Sequence, residues 1–360
     1  MRNVEQRGER LETSTYRIVE GQYLRDILDQ PRALNATLEH LEISPELAAL
    51  GRALREGRFQ RIVLTGMGAS FHALHPLFLR LNAHGYTAVA VETSELVHSI
   101  ARWFEPTTLT IAVSQSGQSA EIVRLVEENK RRAAMVGVTN AVSSPLALGA
   151  NAALVTTAGK ESSVSCKTYV TALMALHLLG DFFCGSDVSR TRDELAKISP
   201  VAASYLGAWK EHASEMAAEL GRVRNLFLLG RGDSLAACGA GALIMKESVR
   251  RQAEGMSGAA FRHGPLEMVD AETFAVVFAG AESTRALQAQ LVKDIRQAGG
   301  MTGWIAEDAA ARAWNIPKAP AGLRPMFEIL PVQMMTQALA AETGIEAGRF
   351  RRITKITTTE

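Results

Sequence analysis

Short apolar runs punctuate the chain, and small or polar residues close each of them. "RIVLTGMG" (61–68), "TLTIAVSQ" (108–115), "AAMVGVTN" (133–140) and "AALVTTAG" (152–159) are long enough for buried strands and too short for buried helices. Segments with apolar residues at helical spacing separate them, such as "AEIVRLVEENKRRA". This alternation predicts a parallel sheet covered by helices on both faces.

The pattern then recurs. "NLFLLGRGDS" (225–234) echoes "RIVLTGMGAS" (61–70), "AVVFAGAEST" (275–284) echoes "TIAVSQSGQS" (110–119), and "MTGWIAED" (301–308) echoes "AMVGVTNA" (134–141). An internal repeat with an offset of roughly 160 residues predicts one doubly wound α/β unit used twice. The expected divisions are an N-terminal arm and helix over 1–45, a first domain over 46–190, a second over 200–340 and a C-terminal tail over 341–360. Helical text at 171–179 and the charged stretch 186–200 would join the halves. The tail is polar and β-branched, without apolar periodicity to dock it, and is expected to be mobile until a ligand binds.

Composition narrows the function classes. The 360 residues suit two cores, with 47% apolar and 21% charged residues. A formal net charge of +1 supplies no global field for nucleic acid or an anionic membrane. Cys166, Cys184 and Cys238 are scattered and form no CxxC, so neither a disulfide framework nor a zinc site is expected, and a reducing cytoplasm fits. The charged N-terminus lacks the apolar core of a signal peptide, and no apolar stretch reaches membrane-spanning length.

The candidate chemistry begins with small hydroxyls at strand ends. In open α/β sheets, ligands sit beyond the carboxyl ends of strands, where helix N-termini favour anions. "SQSGQS" places Ser114, Gln115, Ser116 and Ser119 there, with Gly117 allowing close backbone approach. "GMGAS" adds Gly66, Gly68 and Ser70, and "SSVSCKT" adds Ser163, Ser165 and Thr168. Turns and helix caps also prefer Ser and Gly, but three hydroxyl clusters in one half suit a phosphate monoester. "GMGASF" is neither a dinucleotide fingerprint nor a P-loop. The equivalent loop of the second half, "AGAEST", carries Glu282 and suits phosphate poorly, so one anion site per chain is expected. Acid–base candidates come from "MKESVRRQAEGMSGAAFRHGPLEM" (245–268), which supplies Glu247, Glu254, His263 and Glu267. Glu247 lies mid-helix, and His263 occupies a His-Gly-Pro turn, where a helix cannot continue through Pro265. Taken singly, these residues and Lys355 read as surface groups.

Together the motifs resemble the tandem sugar-isomerase (SIS) family, and most closely the isomerase half of glucosamine-6-phosphate synthase, from about residue 25 to the end. "SQSGQSAEI" is similar to the family's SQSGET loop, and "SCKTY" to its STKTY-type loop. "LLGRGDSLAACGAGALIMKES" resembles LGRGD…ALKLKE, "AEGMSGAAFRHGPLEMV" resembles AEAYAAGELKHGPLAL, and "ITKITTTE" resembles AKSVTVE. The resemblance implies two flavodoxin-like domains and a hexose 6-phosphate held by Ser114, Gln115, Ser116 and Ser119, with further contacts from Gly68, Ser70, Ser163 and Ser165. It implies that Glu247 shuttles a proton between C1 and C2. His263 would assist ring opening from a neighbouring subunit of a homodimer, and Lys355 would form a Schiff base beneath a tail lid. No metal or other cofactor is implied, and the expected partner is a small sugar phosphate.

Three departures bear on substrate. The chain is expected to lack the glutaminase domain of the synthase, as stand-alone deaminases and deglycases do. Ile244 replaces the first lysine of ALKLKE, and Ala260 replaces a glutamate of GELKHGP. The expected activity is glucosamine-6-phosphate deamination with isomerisation. A deglycase of 6-phosphorylated fructosamines is the nearer alternative, favoured by the apolar room at Ile244 and Ala260. A non-catalytic sugar-phosphate sensor is the farther one.

Overall fold

The computed structural model describes residues 18–220, 223–320, 322–352 and 354–357. The expected N-terminal arm falls largely outside these residues. The helix expected to follow it is two helices, Gln22–Leu28 and Gln30–His40, parted at Asp29. Pro31 sits in the first turn of the second, where its missing N–H costs nothing.

The first sheet comprises β1 (Arg61–Gly66), β2 (Ala88–Glu92), β3 (Thr108–Val113), β4 (Ala134–Thr139) and β5 (Ala152–Val155), all parallel, in the order β2-β1-β3-β4-β5. The second comprises β6 (Asn225–Gly230), β7 (Ala253–Ser257), β8 (Thr273–Phe278) and β9 (Met301–Ile305), also parallel, ordered β7-β6-β8-β9. The two orders are the same apart from the fifth strand. The chain therefore has two tandem doubly wound parallel-sheet units.

Central strands are buried along nearly their whole length, which is why they read as unbroken apolar runs. The edge strands β2 and β7 escaped that pattern. β2 alternates in exposure, and β7, "AEGMS", mixes Glu, Gly and Ser because one side of an edge strand meets solvent. The charged stretch 186–200 is helical, and helices Val188–Ala196, Ile198–Leu206 and Trp209–Leu220 span the interval between the sheets. Among the described residues, no helix is long and apolar enough to cross a membrane.

Helices Lys167–Phe183 and Pro325–Glu342 are apolar around most of their circumference and are buried accordingly. One continuous hydrophobic cluster includes both, with residues from the two sheets. Helix Leu235–Val249 of the second half packs against the short helix Gly68–Ala73 of the first. Gly239 makes this possible: a Cβ there would collide with the His72 ring. Four residues on, Leu243 approaches Gly68. Four further on, the same helix face presents Glu247 to the first half.

The second half also buries a carboxylate. Glu328 accepts a 2.8 Å hydrogen bond from Ser234 Oγ, while its Oε2 has no hydrogen-bond partner. Burial pushes its pKa up to about 7 against the opposing effect of the Ser234 bond. Between the ordinary carboxylate range and about pH 7, the folded protein holds a proton that the unfolded chain has released. Stability therefore falls as pH rises through that window. Glu328→Gln should remove the dependence and raise stability near pH 8 by on the order of 3 kcal/mol. Thermal melts of both proteins near pH 5 and pH 8 check this. Equal destabilisation of the variant at both pH values would show that ionisation of Glu328 is not the cause.

Candidate active site

Three loops of the first half, the end of helix Leu235–Val249 and the C-terminal tail enclose a cavity of about 350 Å³. Gly68 and Ser70 come from the turn after β1, and Ser114, Gln115, Ser116 and Ser119 from the loop after β3. Ser163 and Ser165 precede helix Lys167–Phe183; Glu247 and Lys355 close the far side. A larger groove, about 610 Å³, flanks the second sheet against Phe274, Trp304, Trp314 and Arg296. None of the candidate hydroxyls or acid–base residues lines it, so we place the chemistry in the smaller cavity.

The phosphate-type loop is braced by its own side chains. Ser114 Oγ accepts from the Gly117 N–H at 3.1 Å and Ser116 Oγ from the Gln118 N–H at 3.3 Å. Ser119 is the N-cap residue of helix Ala120–Asn129, and its hydroxyl makes no cap bond there. The next N–H, that of Ala120, donates to the Thr357 carbonyl of the tail at 3.1 Å. Ser165 Oγ lies 3.1 Å from Thr168 Oγ1. Ser163 also lines the cavity, and its hydroxyl donates to the Gly348 carbonyl at 2.6 Å, so it holds the tail. Gly348 has φ +75°, and a Cβ there would meet Tyr23 and Ser163, so this seat for the tail requires glycine.

The tail is docked in this structure, with Phe350 and the run Thr354 to Thr357, Lys355 included, lining the cavity. Polar contacts supply what apolar periodicity does not. Its anchor is Glu161, which sequence reasoning missed. Glu161 Oε1 accepts from the N–H groups of Cys166 and Thr168 at 3.0 and 3.1 Å, and Oε2 accepts from Thr168 Oγ1 and Lys355 Nζ, each at 2.6 Å. Burial would raise the Glu161 pKa, but the Lys355 charge, its hydrogen bond and the neighbouring donors hold the carboxyl below its usual value. Glu247 has the opposite balance. Burial pushes its pKa up, the Lys355 charge pulls against this, and the nearby Glu161 charge adds to the rise. Glu247 stands in the last turn of its helix rather than in the middle. A second missed carboxylate, Glu121, also lines the cavity, and its buried Oε2 has no hydrogen-bond partner.

Three expected residues lie elsewhere. Ile244 is buried in the core rather than beside the cavity, which Leu243 lines instead. Ala260 lies on the short helix Gly258–Arg262, and His263 caps that helix's C-terminal end, exposed and outside the cavity lining. The apolar room attributed to Ile244 and Ala260 is therefore not part of this cavity. Glu254 lies on β7 and Glu267 on the 3₁₀ turn Pro265–Met268, and neither lines the cavity. Glu282 opens helix Glu282–Gln297. Among the described residues, no cluster of three or more His, Cys, Asp or Glu could hold a metal ion.

Two parallel α/β units with a hydroxyl-lined cavity, completed by a carboxylate from the second unit, define a two-domain α/β protein with a candidate anion site. Residues 58–180 and 219–341 each match the SIS domain, and the chain belongs to that family of phosphosugar isomerases. It is 30% identical over 349 residues to the glutamine–fructose-6-phosphate aminotransferase (isomerizing) of Pyrococcus horikoshii, a match covering 94% of this chain and 57% of that protein. The C-terminal domain of glucosamine-fructose-6-phosphate aminotransferase from Francisella tularensis superposes with a TM-score of 0.80 at 20% identity, covering 92% of this chain and 99% of that one. Glucosamine-6-phosphate deaminase from Thermotoga maritima gives 0.78 at 18% identity, covering 94% and 100%.

Proposed function

We propose that this protein isomerises a 6-phosphorylated amino sugar, with glucosamine 6-phosphate as substrate and fructose 6-phosphate and ammonia as products. The observation that carries this reading is the position of Glu247, a carboxyl with a raised pKa held by one half against the hydroxyl loops of the other. The phosphate sits at the loop after β3, near the start of helix Ala120–Asn129. Glu247 removes the C2 proton of the open-chain sugar and returns it at C1, through an enolamine. The resulting C2 imine takes up water and releases ammonia, leaving the ketose. A carboxylate suits this transfer because one oxygen reaches two adjacent carbons. Lys355 lies across the same cavity, where its amine faces the carbonyl end of the sugar.

The test is a panel of 6-phosphorylated amino sugars and fructosamines, assayed for ketose phosphate and released ammonia or amine. Amine release from the fructosamines alone would make the protein a deglycase; tight binding without turnover would make it a sensor. Either outcome refutes the proposed reaction.

His263 enters this scheme only from a second copy of the chain, since it lies outside the cavity of its own. A homodimer with shared sites follows as a proposal. Glu247→Gln and His263→Ala proteins, each inactive, should regain up to about a quarter of wild-type activity after subunit exchange, since about half the dimers are mixed on statistical pairing and one of the two sites in each retains both residues. No recovery despite demonstrated exchange would mean that the two residues do not serve one site from different chains.

A further inference from the structure

The ion pair between Glu161 and Lys355 joins residues that are 194 positions apart, and its geometry is built from one side only. The Glu161 side chain is fully buried, whereas Lys355 keeps 20% of its side-chain surface exposed. Donors from Cys166 and Thr168, two backbone N–H groups, the Cys166 thiol and the Thr168 hydroxyl, surround the carboxylate without help from the tail. The remaining donor, Lys355 Nζ, comes from the tail. A buried carboxylate with its partner removed is strongly destabilised, so the socket favours a cation at this point. The tail is also held by the Gly348 carbonyl on Ser163 Oγ, the Gly348 N–H on the Ser248 carbonyl, the Thr357 carbonyl on the Ala120 N–H, and a 3.4 Å bond from the Arg250 guanidinium to the Arg349 carbonyl. Among these contacts the Glu161–Lys355 bond, at 2.6 Å, is the one between two opposite charges, and the strongest.

We propose that Glu161 is a positioning residue: a preformed anionic socket that latches the tail closed through Lys355 and sets where its amine stands over the sugar. The assignment of Lys355 to the site rests on the proposed function, but the latch does not depend on which sugar is bound. The socket also explains why segment 161–168 carries both a hydroxyl cluster and a buried acid. Ser165 faces the cavity, while Glu161 and Thr168 behind it hold the lid residue.

Hydrogen exchange of the tail amides in the full-length protein without ligand tests the latch apart from any activity. Glu161→Gln and Lys355→Met should each raise exchange over residues 349–357 by about tenfold or more, with the remaining chain unchanged. The double variant should be no more open than either single one, because both remove the same contact. Lys355→Arg should keep much of the protection. If Glu161→Gln fails to fold, Lys355→Met still decides the matter, since it leaves the buried donors untouched. Unchanged tail exchange in Lys355→Met, or additive opening in the double variant, would overturn the latch.

Activity gives a second readout. Lys355, Glu161 and the buried Tyr23 phenol are the titratable groups that interact with Glu247. Glu161→Gln removes a negative charge and should move the acid limb of kcat/KM down, while Lys355→Met removes a positive charge and should move it up. Shifts in the same direction would reject the arrangement. A protein that opens its tail as expected but turns over none of the phosphosugars would keep the latch and refute the proposed function instead.

Discussion

Glu247→Gln should bind a sugar phosphate about as well as the wild type and lose about 10²–10⁴-fold in turnover. Glutamine has nearly the same shape but cannot accept the C2 proton. The helix that carries Glu247 should be undisturbed, because its contact with the first half is made by Gly239 and Leu243 rather than by the carboxylate. Incorporation of solvent deuterium at C1 or C2 should disappear with turnover, which separates loss of proton transfer from loss of binding. The pH profile carries the same signature. Burial and the Glu161 charge raise the Glu247 pKa while Lys355 opposes them, with a net rise. A general base must be ionised, so the acid limb of kcat/KM should lie above the ordinary carboxylate range. A glutamine variant with near-normal rate, or an acid limb at an ordinary carboxylate value, would remove Glu247 from the chemistry.

The second large effect concerns the phosphate. Glucosamine or fructosamine without it should react with kcat/KM lower by about 10³-fold or more, at roughly 1.5–3 kcal/mol for each hydrogen bond to a charged group lost. The loop after β3 supplies hydroxyls and the start of helix Ala120–Asn129; among the described residues that line the cavity, Lys355 is the one lysine or arginine. On the proposed assignment a dianion would be recognised largely by neutral donors and a helix terminus, which fits a chain of net charge +1. The Thr357 carbonyl accepts from the Ala120 N–H, so the tail reaches the helix end proposed for the phosphate. Calorimetry with phosphorylated and free sugars decides the matter, and equal affinities would refute the loop assignment.

Much of this was written locally. β1, β3, β4 and β8 are unbroken apolar runs because both faces of a central parallel strand are covered, and the repeat between halves follows from using that unit twice. The hydroxyl loops were legible for the same reason, since they are the caps and turns that end those strands. The edges were not: β2 and β7 are half exposed, and their composition carries no period that separates them from a loop. Ile244 read as a pocket residue from its place in a motif, yet helical geometry turns it into the core and turns Leu243 and Glu247 toward the cavity.

Glu161 is the clearest case of what local pattern could not supply. In "AGKESSVSCKT" it is one charged residue in a polar stretch, with nothing nearby to mark it as buried. Its partners are the backbone and side chains of Cys166 and Thr168, and a lysine 194 positions away. Sequence by itself determined the two sheets, their repeat and the hydroxyl clusters at the strand ends, because each follows from how a segment buries its own surface. Only the tertiary structure decided which helix face crosses onto the first half, which serine bonds the tail, and which acid receives Lys355. Those pairings arise when segments far apart in sequence are brought together, and a buried charge then takes the partner that the packing delivers.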